Sequence, residues 1–199
     1  MKLKNLFKLL LIITFTITSA SALKQETLKD EMGNKINTIL LVLKDKSLNT
    51  KQKGEKIVTI IDSVFDYNTM SKIALGKETW TSISKEQRDE FVKVFERKLK
   101  NSYIGKLELY TNQEVKIVGL EDYKGSRLQL VTELIGKDDT YTINYNFYNN
   151  KRAGEWLIYD VDLIGVSIIQ TYRQQFAGLL KEKTFDEMLA TLKEANEKN

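Results

Sequence analysis

Asp160 and Asp162 stand two apart in a run where apolar and polar residues alternate, Trp156-Leu157-Ile158-Tyr159-Asp160-Val161-Asp162-Leu163. On a strand, that spacing aims both carboxylates to one side. Paired carboxylates can do acid–base work or bind calcium. Calcium asks for six or more oxygens, and no further acids gather here, so a solvated or cap-forming pair is the simpler reading. Ser167 follows Gly165-Val166, which is not the G-x-S-x-G spacing of a nucleophile elbow. The chain has no His and no Cys. That removes Ser-His-Asp and Cys-His triads, thiolate sites and most zinc sites. Ser167 then reads as the N-cap of a helix. Arg173 offers a guanidinium suited to phosphate oxygens, or a partner for a carboxylate such as Asp160. No catalytic residue, metal ligand or cofactor is expected.

The elements that hold these residues follow from periodicity. Apolar positions Leu28, Met32, Ile36, Ile39, Leu40 and Leu43 predict a helix over 25–45. Ile57, Val58, Ile60, Ile61 and Val64 predict a second over 51–64. Asp66 suits the N-cap of a short helix ending at Gly76. Ser84-Lys85-Glu86-Gln87 is a capping box, and the stripe Phe91, Phe95, Leu99, Tyr103, Leu107 and Tyr110 extends its helix over 85–111.

From 113 the period changes to two. Strands are predicted at 113–121, 126–135, 140–148 and 155–163, joined by short polar turns that imply an antiparallel meander. Tyr141, Ile143, Tyr145 and Phe147 share one face of the third strand. Strict alternation puts Leu157, Tyr159, Val161 and Leu163 on one face of the fourth. Helices return at 167–180 and 184–195. The fold class is α+β, with helices packed on one face of a curved four-stranded antiparallel sheet.

The N-terminus has a separate purpose. Lys2, Lys4 and Lys8 precede the apolar run Leu9–Ile17, which ends in Ser19-Ala20-Ser21-Ala22. A basic start, a short apolar core and small residues at −3 and −1 make a cleavable secretory signal over 1–22. The run is shorter than the roughly 20 residues that span a bilayer. Residues 23–199 then form a single domain. Of 31 basic and 27 acidic residues, three basic ones belong to the signal, so the remainder is nearly neutral and no nucleic-acid partner is expected.

Several residues recur in the order and spacing of a known family. They are Phe65-Asp66, Met70, Leu75-Gly76, Trp80, Glu86-Gln87-Arg88, Phe91 and Phe95, then Trp156–Val161, Gly165-Val166-Ser167 and Tyr172-Arg173-Gln174-Gln175-Phe176. Over roughly 26–195 the chain resembles the MlaC (toluene-tolerance) family of periplasmic phospholipid-binding proteins. It departs from the family pattern at Lys85, Ile164 and Thr171, where the family often has Pro, an acid and Asn.

The resemblance implies an NTF2-like or cystatin-like cone with an apolar cleft between helices and sheet. It implies a monomeric periplasmic carrier that takes phospholipid as cargo. Its partners would be an outer-membrane lipoprotein/porin complex and an inner-membrane ABC transporter with a substrate-binding ring, in a system maintaining outer-membrane lipid asymmetry. Inward phase and the resemblance together give a lipid-binding lining. From the helices it takes Met70, Leu75, Tyr103, Leu107, Ile169, Tyr172 and Phe176. From the strands it takes Leu128, Leu130, Tyr145, Phe147, Tyr159 and Val161, with Arg173 toward the headgroup. Two other readings fit the residues: a small enzyme of the same cone using carboxylates or Tyr, and a filled-core interaction module without ligand.

Overall fold

The computed structural model describes residues 23–105, 107 and 110–198; the cleavable signal expected over 1–22 lies outside the described residues. Helix α1 covers Leu28–Lys44 and α2 covers Thr50–Ile61, with a 3-10 turn at Asp62–Val64. Asn49 opens α2 through a reciprocal capping box with Gln52. Helix α3 covers Tyr67–Leu75, and Asp66 caps it by accepting from the Thr69 amide at 2.9 Å.

Gly76, at φ +83°, ends α3 and starts α4 (Lys77–Ser82), a one-and-a-half-turn helix the periodicity did not reveal. Helix α5 begins at the predicted box, where Ser84 Oγ accepts from the Gln87 amide and the Gln87 side chain accepts from the Ser84 amide. It ends at Ile104 rather than at 111. Gly105 follows, the poorest helix former after proline, and Asn112 takes a left-handed φ of 73° to turn the chain into the sheet.

Strands β1 (Glu114–Tyr123), β2 (Arg127–Ile135), β3 (Thr140–Asn150), β4 (Glu155–Leu163) and β5 (Val166–Ser167) form one antiparallel sheet in sequential order. The two-residue β5 makes five strands where four were expected. It is too short for alternation to mark. Helices α6 (Ile168–Leu179) and α7 (Phe185–Glu197) follow, each capped by the hydroxyl before it, Ser167 and Thr184.

The described residues pack into two apolar clusters. Phe91, Phe95, Ile169, Phe176 and Met188 centre a helical one built from α3 to α7. Leu28, Met32 and Val64 cover Leu128, Leu130, Phe147 and Ile158 of the sheet in the other. Phe65 packs against both.

One expectation fails in β4. Asn146 lies opposite Asp160, but Phe147 lies opposite Ile158. Tyr159 is therefore an extra residue, a β-bulge, and alternation is reset across it. Ile158 and Val161 join the sheet cluster, while Tyr159 turns to the other side. Leu157, Tyr159, Val161 and Leu163 do not share a face.

Candidate functional site

The apolar face of the sheet is built pair by pair. Leu128 lies opposite Phe147, Leu130 opposite Tyr145, Thr132 opposite Ile143 and Leu134 opposite Tyr141. Across the next seam Tyr145 faces Val161 and Ile143 faces Leu163. All belong to one side because the side-chain period of a strand is two. One end of this face is sealed: Leu130 and Phe147 are fully buried. The chain entering α1 helps seal it, with the Trp156 amide donating to the Leu23 carbonyl at 2.8 Å. Toward the other end Leu134, Ile143 and Val161 are half-buried. Tyr141 and Leu163 are 41% and 40% exposed, and Ile164 and Val166 beside them are 60% and 59% exposed. The face thus opens to solvent along its length without a polar break other than Thr132, whose hydroxyl donates to the Ile143 carbonyl at 2.7 Å.

Five of the expected lining residues meet here: Leu128, Leu130, Tyr145, Phe147 and Val161. Burial pushes the Tyr145 phenol pKa up. Met70, Leu75, Ile169, Tyr172 and Phe176 instead lie in or against the helical cluster. There Phe95 meets the Tyr172 ring at 4.9 Å and the Phe176 ring at 5.4 Å, edge to face. The structure does not bring these five to the sheet face; amphipathic phase tells which side of a helix is inward, not which of two clusters it enters. Tyr159 stands apart on the bulge. Leu107 is half-buried beyond the end of α5, and the side chain of Tyr103 lies outside the described ones. Ile158 and the covering residues Leu28 and Met32 were missed. Apolar spacing marked Leu28 and Met32 as buried without naming the layer, while strict alternation set Ile158 on the face opposite Val161, which the bulge reverses.

The two carboxylates take different partners. Asp160 is 8% exposed. Its Oδ1 accepts from the amides of Val161 at 2.9 Å and Ile169 at 3.1 Å, and its Oδ2 from Ser167 Oγ at 2.5 Å. Desolvation, helped by the neighbouring Asp162 charge, outweighs these bonds and raises its pKa above the ordinary carboxylate value. Ser167 in turn accepts from the Gln170 amide at 3.0 Å. Asp160 and Ser167 thus form a buried clasp that fastens the start of α6 to β4. Asp162 instead accepts from Asn146 Nδ2 at 3.1 Å. Arg173 is exposed and passes Gly76, where an added Cβ would sit 3.9 Å from its Nε.

Two cavities open elsewhere. One of about 480 Å³ sits where the β1–β2 and β3–β4 tips approach α3. The other, of about 410 Å³, lies between α2 and α5. Among the described residues no group of His, Cys, Asp and Glu could hold a metal ion, and no helix is long and apolar enough to cross a membrane.

Fold and site together define an α+β protein whose sheet presents a half-open apolar face. The chain belongs to the MlaC protein family, whose model matches residues 33–194. It is 23% identical over 119 residues to an intermembrane phospholipid transport system binding protein from Haemophilus influenzae, covering 58% of this chain and 56% of the relative. It is 26% identical over 128 residues to a toluene tolerance protein from Pseudomonas putida, covering 64% and 59%. The chain thus spans little more than half the length of these relatives. The fold resembles that of a phospholipid-binding protein from Ralstonia solanacearum solved with a phospholipid, at a TM-score of 0.72 and 20% identity, covering 85% of this chain and 97% of that one.

Proposed function

We propose that this protein carries phospholipid across an aqueous compartment, holding acyl chains against the apolar face of its sheet. The observation behind this reading is the unbroken passage of that face from sealed, at Leu130 and Phe147, to open, at Tyr141 and Leu163. The names of the relatives point the same way. Two acyl chains expose about 30 methylenes, so at about 0.8 kcal/mol each their hydration would cost about 24 kcal/mol. A free lipid therefore does not cross water, and a carrier with a dry face does.

Source and destination bilayers are equally apolar, so net transfer through the carrier needs little free energy of its own. Any ATP is hydrolysed by a partner, an inner-membrane ABC transporter with its ring subunit; an outer-membrane complex would stand at the other end. The secretory pattern expected over 1–22 supports a periplasmic location for the carrier. The five sheet residues supply the lining on the sheet side, and the helical set, packed in its own cluster, backs it across Phe65. No catalysis is assigned: Asp160, the carboxylate beside Ser167, spends its oxygens on three donors that hold α6.

Native mass spectrometry of the purified protein tests this. A co-purifying diacyl lipid is expected. Protein that is folded, lipid-free and unable to take lipid from vesicles refutes the proposal and favours the filled-core module.

A further inference from the structure

We propose that the cavity at the hairpin end of the sheet is a binding site for a phosphate-ester anion. The cavity lies where the β1–β2 and β3–β4 tips stand side by side, with Thr69 and Ile73 of α3 as its wall. The bulge that turns Tyr159 away from the apolar face puts its ring on the cavity floor. Arg127, two strands away on β2, lies on that ring: its guanidinium carbon is 4.7 Å from the ring centroid, and Nη1 donates to the Tyr159 hydroxyl at 3.1 Å. This fixes the plane of the guanidinium, and a guanidinium has five N–H donors. Among the described residues no carboxylate stands within ion-pair distance of Arg127 or of Lys151, which also lines the cavity. A pre-placed guanidinium and a nearby ammonium, neither with a partner acid, are a receptor for an oxyanion, and the planar fork matches phosphate oxygens in a bidentate way.

The acids nearby do not cancel this. Asp66 is committed to the Thr69 amide, the Thr69 hydroxyl and the Tyr148 hydroxyl. Asp122 is the one carboxylate lining the cavity, against the two cations. Ile73 adds apolar lining, which suits the carbon skeleton of an ester better than a bare ion. A phosphodiester headgroup of carried lipid and a small soluble phosphate ester share this chemistry. The anion site stands without the carrier reading; only its headgroup source rests on it.

The test is calorimetric titration of delipidated protein, its circular dichroism matched to that of the purified protein, with glycerol 3-phosphate. Saturable binding is expected, weakened about tenfold by Arg127→Gln, the loss of one charge-assisted hydrogen bond. Arg127→Lys should fall between, because it keeps charge and loses the fork. Lys181→Gln, a remote exposed cation, should bind like wild type. Should Arg127→Gln misfold, Lys151→Gln at the exposed tip gives the same reading, with affinity down about threefold for one charge contact. Absence of saturable binding, equal affinity in the cavity variants, or equal loss in Lys181→Gln overturns the proposal. Competition by dihexanoyl phosphatidylglycerol identifies a headgroup source; competition by inorganic phosphate alone identifies a free anion. Lipid content by mass spectrometry on the same preparations reports failure of the carrier reading separately.

Discussion

Tyr159 and Val161 stand two residues apart on β4 and face opposite sides of the sheet, because the strand carries one more residue than β3 between Asn146 and Phe147. Val161 packs into the apolar cluster. Tyr159 meets Arg127 and, edge to face at 6.2 Å, Tyr148. A single inserted residue thus gives the sheet an apolar side and a cationic, aromatic pocket at one end.

Val161→Glu separates a container from a filled core. The site is half-buried, so in lipid-free protein the carboxylate can keep water and the fold should survive. Against acyl chains it would be dry and unpaired, at a cost of several kcal/mol. Lipid content measured by mass spectrometry should fall to background in a variant whose circular dichroism melt is only modestly lowered. A variant unable to fold would favour the filled core, since stability totals only about 5–15 kcal/mol.

Asp160→Asn should destabilise the domain by about 1–3 kcal/mol at neutral pH, as the amide oxygen can still accept from Val161 and Ile169 but the nitrogen in place of Oδ2 cannot accept from Ser167. The pH dependence has a definite sign. Burial raises the pKa of Asp160 in the folded state, so the native state holds its proton more tightly than the unfolded chain. That contribution is full below the ordinary value of about 3.9 and is lost as pH rises through the higher folded value. Urea melts across mildly acidic pH should show the gap between wild type and variant narrowing as pH increases.

Ser167→Ala removes an N-cap, worth about 1 kcal/mol, and leaves one Asp160 oxygen without its donor. Chemical melts should register that loss. No phospholipase activity goes with it: wild type and variant incubated with labelled phospholipid should release no lyso-lipid above blank. Release that vanished in the variant would make Ser167 a nucleophile instead.

Gly54 lies in α2 where an added Cβ would come 2.8 Å from Ile104 Cγ2. Alanine gains up to about 1 kcal/mol in helix propensity, but overpacking against a stiff branched side chain costs about 1–3 kcal/mol. Gly54→Ala should therefore lower stability by about 1 kcal/mol. In an Ile104→Ala background the same change should raise it, and a double-mutant cycle reads the difference.

Ile164 holds φ at 54°, a region that β-branched residues avoid. It is 60% exposed, so little burial is lost on replacement. Ile164→Asn should stabilise by about 1 kcal/mol, seen as a higher melting temperature; an unchanged or lower one would show that the apolar side chain matters more than the strain.

Local chemistry was legible in the sequence. The caps at Asp66, Ser84 and Ser167, the stop at Gly76, the four long strands and the fold class all depend on neighbours within a few residues, where side-chain hydrogen bonding and periodicity act. The α5 end was misjudged because the apolar stripe continues past Gly105 while the backbone does not. Tertiary structure alone decided the rest. An inward phase does not say which of two clusters a residue joins, so Met70 and Phe176 went with the helices while Leu130 and Val161 went with the sheet. A bulge has no compositional mark, because it is a property of two strands in register; it moved Tyr159 across the sheet to Arg127, a residue 32 positions away. Asp160 likewise read as either solvated or cap-forming, and only Ile169 and Ser167 folding back onto it decided for the cap.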